Sequence, residues 1–515
     1  MSKARFIFDA IREFAASRGE STALIYGDRL SSYAELAQRI DRVAAGLSSL
    51  GLKPQSRVAI LTGNNDYFFE IWLGAALGGF VLTPINARLA PPEVLYIVND
   101  SEAEVLFVDG PFKPLVENIA GDLPNVRHII SLDIHSQWPL YTKWRDEQSC
   151  STFDAIGDPA DTMVQMYTSG TTGFPKGVEL NHTSVLACTR GMMGLTEWKP
   201  GEVVLVTAPL FHTAGSAWAN SALQSGGTAV LLRETTPASI LNAFEENRVT
   251  EVLLVPAVIQ MLLQSPEREN KDLSSLQRIL YGASPISVPV LRQAIETFGC
   301  EFEQGYGLTE TVGPVAMLYR EDHRKDDKLR SCGKAIPGCE IRVVDPKGKD
   351  CAPDDVGEIV VSGVQIMNGY WKRPDDTKAA IRDGWFHTGD AGFFDADGYL
   401  YIHDRLKDMI VSGAENVYPA EVERALQDCP GIVDVAVIGI PDVQWGEAVK
   451  AVVVTEAGTT VSENDVIEFA RSKIAGYKCP KSVDIVDAIP RNPSGKILKK
   501  ELRAPYWEGH ERRVS

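Results

Sequence analysis

Tyr167-Thr168-Ser169-Gly170-Thr171-Thr172-Gly173-Phe174-Pro175-Lys176-Gly177 joins a phosphate-binding composition to an apolar approach, Met163 to Met166. Its glycines let the backbone come close to a ligand, its hydroxyls can donate to phosphate oxygens, and Lys176 adds a movable cation. The spacing is not that of the ordinary P-loop, in which a magnesium-binding hydroxyl directly follows the lysine. Here Pro175 precedes Lys176 and Gly177 follows it, so that position is empty. The spacing therefore argues against a kinase or motor ATPase, while a nucleoside triphosphate remains the ligand the composition suggests. A surface linker rich in Ser, Thr and Gly would share the loop but leave the strand-like approach unexplained.

Outward from that loop, strand-length apolar runs alternate with helical patterns. Arg57 to Leu61, Phe80 to Pro84, Thr228 to Leu232 and Glu251 to Pro256 read as strands, and Tyr67 to Leu77 as a helix. Such alternation predicts α/β layers with largely parallel sheets, which bind ligands at the carboxyl ends of their strands. A strand running into a loop is the placement expected for Thr168. From about Ser331 short β-prone pieces with turn signals take over, including Ile341 to Val344, Gly357 to Val361 and Asp395-Ala396-Asp397-Gly398, which predicts a small barrel or sheet. The charged turn His403 to Asp408 then precedes a helix from Pro419 to Asp428, a strand from Val433 to Ile440 and a second helix from Val461 to Ile474. The expected domains are 1–404, with a β-rich subdomain at 330–404, and a small α+β domain at 405–515.

Composition narrows the function classes. The 515 residues are too many for one core, and 44% hydrophobic with 23% charged residues is globular. A net charge of −18 argues against nucleic acid as the main partner. Eight cysteines without a C-x-x-C pair support neither a disulfide framework nor a zinc site and suit a reducing, cytoplasmic compartment. The first twenty residues read as an amphipathic helix, not a signal peptide, and neither Val203 to Leu232 nor Ile71 to Ala87 reads as a membrane span.

Five further segments carry chemistry. Phe211-His212-Thr213-Ala214-Gly215 follows an apolar run, so His212 faces either a substrate pocket or the structural interior. Tyr281-Gly282-Ala283-Ser284 ends a strand from Leu276 where backbone groups can frame a flat ring. Gln304-Gly305-Tyr306-Gly307-Leu308-Thr309-Glu310 offers Tyr306 for stacking and Glu310 as an oxygen ligand for magnesium, and equally fits a turn leading into a helix. Trp385-Phe386-His387-Thr388-Gly389-Asp390 places a carboxylate after a tight glycine, suited to two vicinal hydroxyls, or forms a plain polar turn. Pro490 to Ile497 presents Lys496 on a Pro/Gly/Ser loop, a position where a solvated lysine is also expected.

In order and spacing these segments, with Ser32-Tyr33-Ala34-Glu35-Leu36 near the start, resemble the adenylate-forming superfamily of acyl-CoA synthetases, nonribosomal peptide synthetase adenylation domains and firefly luciferase. The resemblance implies ATP, Mg2+ and coenzyme A as ligands. It implies that Thr168, Ser169, Gly170, Thr171, Thr172, Gly173 and Lys176 cover the β- and γ-phosphates and that Glu310 with Thr168 holds magnesium. By the same likeness, Asp390 and Arg405 take the ribose, Tyr306 the adenine, and Lys496 bridges the carboxylate and the α-phosphate. Gly282, Ala283 and Ser284 would border nucleotide and acyl group, with further cofactor contacts at Gln304, Gly305, Gly307, Thr309, Ile402, Lys407 and Trp445. His212, Ala214, Gly215, Trp218, Gly282, Ala283 and Gly313 would line the acid pocket, and His212 joins the catalytic set. The small domain would swing at Lys407 to bring Ser412-Gly413-Ala414-Glu415-Asn416 to a thiol tunnel; Ala414 stands where the family's ligases usually carry glycine.

The implied reaction makes an acyl-adenylate and then a thioester. The pocket residues, without the aspartate that an amino-acid-activating domain presents, favour an apolar acid: medium-chain or branched aliphatic first, aryl or hydroxycinnamate second. A luciferase-like oxygenase and a non-catalytic acyl-binding protein share the fold and rank lower, and a homodimer is an open expectation.

Overall fold

The computed structural model describes residues 4–133, 137–169, 174–196, 198–283, 286, 288–405, 410–413, 415–417, 419–456, 458–490, 497 and 499–508. Two large sheets dominate the amino-terminal part. One has nine strands in the order Lys334–Ala335, Pro314–Leu318, Glu301–Gly307, Arg278–Gly282, Glu251–Leu254, Val203–Val206, Thr228–Leu231, Thr22–Tyr26, Arg29–Ser32. Its central strands pair in parallel, Glu251 opposite Arg278 and Tyr281 opposite Gln304. The other has seven, in the order Gly369–Tyr370, Pro175–Asn181, Thr162–Ser169, Val81–Ile85, Arg57–Leu61, Val105–Val108, His128–Ser131.

Local sequence explains the helices that bind these sheets together. Ser32 caps the helix Tyr33–Ser49 through a reciprocal box with Glu35, the kind of cap that contributes about 1 kcal/mol. Its apolar side, Leu36, Ile40, Val43 and Leu47, recurs at helical spacing and is buried. Tyr67–Leu77 is buried on nearly every face, and the one charge inside it, Glu70, accepts from Arg145 Nη1 at 2.6 Å and Tyr141 Oη at 2.8 Å. A charge taken out of water this far needs such partners. The expected strand Arg57–Leu61 and helix Tyr67–Leu77 are found residue for residue.

The hairpin-rich segment forms a five-stranded antiparallel sheet from Cys339–Val344, Gly357–Gly363, Trp385–Phe394, Ile381–Arg382 and Leu400–Arg405. Beyond it, Glu415–Val417, Ile410–Ser412, Gly446–Thr455 and Ile432–Asp442 make a last sheet, with Ser482–Ile485 parallel to Gly446–Thr455. The helices Pro419–Gln427 and Glu463–Arg471 help close a separate core around Val422, Leu426, Val437, Val449 and Val466. The molecule is thus a large α/β domain with a β-rich part, followed by a small α+β domain. No helix among the described residues is long and apolar enough to cross a membrane.

Two local expectations change. The loop after Met163 to Tyr167 is a hairpin, Thr162–Ser169 against Pro175–Asn181, with Thr168 opposite Lys176. Asp390 lies inside the ten-residue strand Trp385–Phe394, not in a turn. The glycine before it, Gly389 at φ +71°, is absorbed as a bulge, because the pairings Glu358 with Ala391 and Val360 with His387 leave Thr388 to Asp390 facing Ile359.

Candidate active site

The carboxyl ends of both large sheets open onto one cavity of ≈ 350 Å³. Pro84 and Asn86 reach it from the end of Val81–Ile85, Tyr167 and Thr168 from Thr162–Ser169, Thr207 from Val203–Val206, and Val255 from Glu251–Leu254. Gly282, Ala283, Gly305 and Gly307 come from the ends of the next two strands. This is where parallel sheets put ligands, since the loops there diverge and leave backbone groups unspent.

The apolar part of the lining includes Met192, Ala217, Trp218, Leu253, Val258 and Leu280. Trp218 is fixed by its indole N–H donating to Leu205 O at 3.1 Å and by an edge contact with Trp198 at 5.0 Å. His212 stands at the N-cap of the helix Thr213–Ser225 and lines the cavity with Ala214 and Gly313. The pocket reading of His212 is the one its position supports. Gly215 is buried in that helix, where a Cβ would lie 2.3 Å from Pro209 O, and it is not part of the lining.

The lining also has a polar part. Thr168, Thr309 and Glu310 belong to it, Glu310 sitting in the single turn Thr309–Thr311. Tyr370 donates to Glu310 Oε1 at 2.8 Å, and its ring lies 5.3 Å from Lys176 Nζ, which itself pairs with Asp376 at 2.9 Å. Lys176 therefore flanks the cavity without lining it. Gly307 permits a close chain crossing: a Cβ there would stand 1.9 Å from Gly313 O. Tyr306 donates to Asp390 Oδ2 at 2.8 Å, both buried, and Asp390 pairs in register with Arg405. Gln304 is half-buried and its Oε1 accepts no hydrogen bond among the described residues.

The small domain supplies the remaining wall through Gly413, Glu415, Tyr477 and Lys478. Gly413, at φ +58°, packs under the Trp445 ring, where a Cβ would approach Cε3 to 2.5 Å. Glu415 pairs with Arg88 and lies 3.4 Å from His212 Nε2. Burial opposes the charge on Glu415, yet His212, Arg88 and Lys478 hold its carboxyl below the usual glutamate range. Ser412 is buried beside this wall, and Ile402 and Trp445 are not among its lining residues. Gly170, Thr171, Thr172, Gly173, Ser284, Lys407, Ala414 and Lys496 fall outside the described residues.

Several cavity residues were not among the sequence candidates: Asn86, Arg88, Tyr477 and Lys478. Tyr370 and Glu93 join them as second partners of site groups. Tyr370 had one usable signal, the Gly369-Tyr370-Trp371 aromatic pair after a glycine.

Comparison with known proteins places most of the chain in one family. Residues 11–371 match the family described as AMP-binding enzyme and residues 421–496 the AMP-binding enzyme C-terminal domain. The fatty acid–[acyl-carrier-protein] ligase ScoC of Streptomyces coeruleorubidus is 37% identical, covering 96% of this chain and 95% of its own. A feruloyl-CoA synthase of an Amycolatopsis species is 38% identical, covering 94% and 96%. The structure of the amide bond synthetase McbA from Marinactinospora thermotolerans superposes with a TM-score of 0.89 at 29% identity, covering 96% of this chain and 99% of that one.

Proposed function

The chain belongs to the AMP-binding enzymes and is an adenylate-forming acid–thiol ligase, and on that premise we propose that it joins a medium-chain or branched fatty acid to coenzyme A. The observation that carries the reading is one cavity whose lining joins uncharged apolar side chains, the polar groups Thr168 and Glu310, and Gly413 of the small domain. An acid tail, a triphosphate and a thiol each find a chemically matched wall of the same space.

In the first step a carboxylate oxygen attacks the α-phosphorus, the bond to the β-phosphate breaks, and pyrophosphate leaves. In the second, a thiol attacks the acyl carbon, loses its proton, and AMP departs with the electrons of the acyl–oxygen bond. Neither step needs a protein nucleophile, so the chain's work is positioning and charge stabilisation. The hairpin hydroxyls with Lys176 orient the leaving phosphates, Asp390 and Arg405 the ribose, Tyr306 the adenine, and Lys496 balances charge at the α-phosphate. Glu310 and Thr168 present the hard oxygen donors that Mg2+ prefers, and the ion when bound would neutralise phosphate charge. Gly413 leaves the thiol room to pass, and His212 with Glu415 frames the acyl carbon's side of the cavity.

A hydroxycinnamate is the second reading. The flat space between Gly282, Ala283 and Gly313 admits a ring, and a feruloyl-CoA synthase is among the similar proteins. A panel of acids, assayed for AMP and pyrophosphate with and without CoA, tests both. Octanoate-like and branched acids are expected to exceed ring acids by about tenfold in kcat/KM, within the ~1–3 kcal/mol by which an apolar pocket distinguishes acids differing by one well-fitted methylene. Feruloyl-type acids ahead by that margin would overturn the aliphatic assignment, and pyrophosphate release without CoA-dependent AMP release would overturn the acceptor.

A further inference from the structure

We propose that Glu93 is a positioning residue for the acyl-transfer half of the reaction, holding the 475–478 segment of the small domain against the cavity. The proposal rests on the two-step reading above. Glu93 lies in the first turn of the helix Pro91–Asp100 of the large domain and does not line the cavity. Its Oε2 accepts from its own helix start, Ala90 N, at 2.8 Å and from Ala475 N of the small domain at 2.8 Å. Its Oε1 accepts from Lys478 Nζ at 2.7 Å. One carboxylate therefore grips both ends of a four-residue segment.

That segment contains two cavity residues, Tyr477 and Lys478. Asn86, from the same large-domain loop as Arg88, donates to Tyr477 Oη at 3.2 Å. Lys478 is also held within the small domain by Glu421 Oε1 at 2.7 Å. All three charged side chains are nearly inaccessible, at 9% for Glu93, 3% for Glu421 and 4% for Lys478. Water does not compete at such a junction, so its geometry is set by the protein alone.

The division of partners gives Glu93 its specific role. Without it, Lys478 keeps Glu421 and the small domain retains an internally compensated charge, so the domain's own fold survives. What disappears is the grip on Ala475 N and Lys478, leaving links such as Asn86 on Tyr477 and Arg88 on Glu415 across the boundary, too few to fix the 475–478 segment. The polar groups Thr168 and Glu310 come from the large domain and keep their places. Adenylate formation and acyl transfer should therefore respond differently.

The test is Glu93→Gln, with Glu93→Ala beside it, in the full chain. Adenylate formation, read as pyrophosphate release with acid and ATP but no thiol, is expected to stay within about twofold. Transfer from a supplied acyl-adenylate to CoA, read in a single turnover, is expected to fall about tenfold or more, the scale of one buried hydrogen bond to a charged group. Glu93→Asp, which restores the charge, should recover part of that loss. An equal fall in both half-reactions, no fall in transfer, or no recovery with aspartate overturns the proposal. Should the alanine variant fail to fold, the glutamine variant, which keeps an acceptor for Ala90 N, carries the test. A wild-type protein that releases no pyrophosphate with any acid refutes the two-step reading instead, and the two failures are told apart by that control.

Discussion

The cluster at the domain boundary and the cluster at the amino ends of the nine-stranded sheet each set two glutamates around one cation, but their distances differ. Lys478 meets Glu93 and Glu421 at 2.7 Å each. Arg278 stands 3.4 Å from Glu251 and 3.9 Å from Glu303, and neither carboxylate makes a hydrogen bond among the described residues. Both clusters are buried. In the first, direct bonds cross between domains and fix a geometry. In the second, within one domain, burial dominates and pushes the Glu251 carboxyl up to about 8 and that of Glu303 up to about 7. Burial also raises the Glu421 carboxyl, so the two clusters share that effect; they differ in that Lys478 donates to both glutamates of the first, whereas no donor among the described residues reaches Glu251 or Glu303.

The comparison breaks most decisively at Lys478. Lys478→Met leaves Glu93 and Glu421 buried face to face with no cation, a loss expected to cost ~3–5 kcal/mol. Burial works against the Lys478 charge, but Glu421, Tyr477 and Glu93 outweigh it and raise its pKa, so the ammonium is the form removed. Denaturant unfolding followed at Trp445 and Trp507 in the small domain should show the loss. A shift under ~1 kcal/mol would mean that the short contacts do not hold the boundary.

Glu251→Gln sharpens the other side. An unfolded glutamate releases its proton near 4.5, whereas the folded one keeps it to about 8. Between those values the folded state binds more protons, so stability falls as pH rises through the window and levels off above it. The contribution is complete below the lower value and gone above the upper one. Charged groups facing Glu251 are Arg278 and Arg320, which ease its ionisation, and Glu202 and Glu303, which oppose it. The glutamine variant should show a shallower fall in melting temperature from pH 5 to pH 8.5, gaining roughly 2–4 kcal/mol over wild type at the alkaline end. Parallel curves would show that the carboxylate is already solvated in the folded protein.

This contrast also marks what the sequence made legible. Arg57–Leu61 and Tyr67–Leu77 could be read to the residue because an unbroken apolar run and a helix bounded by glycines leave no competing period. The hairpin partner Pro175–Asn181 was hidden because Gly173 and Pro175 punctuate it as loop, although proline is tolerated as the first residue of a strand. The Asp390 bulge was hidden likewise, since a glycine in a strand and a glycine in a turn look alike without the opposite strand. At the cavity, the segments at Thr168, His212, Gly282 and Glu310 stood out by composition, but His212, Gly282 and Glu310 were ambiguous singly and pointed to a site only through their joint order and spacing. Glu93 and Lys478 did not stand out. They are 385 positions apart, and each is a residue type ordinarily found in water, so nothing local distinguishes a buried joint from a solvated surface.

The smallest expected effect comes from a link simpler than either cluster. Glu310 receives a neutral donor, Tyr370 Oη, at 2.8 Å, whereas Glu93 gathers two amides and an ammonium. If Glu310 holds the metal as proposed, that hydroxyl orients the carboxylate without supplying charge. Tyr370→Phe keeps the ring beside Lys176 and removes only the donor, a net change of about 0.5–1.5 kcal/mol. The magnesium concentration giving half-maximal pyrophosphate release should rise about two- to tenfold, with unfolding shifted by less than ~0.5 kcal/mol because the site is half-open to water. A lower magnesium requirement would show that the tyrosine competes for the carboxylate and does not orient it. An unchanged requirement with a lowered melting temperature would make the bond structural, placing Glu310 with the joint at Glu93 and not with the chemistry.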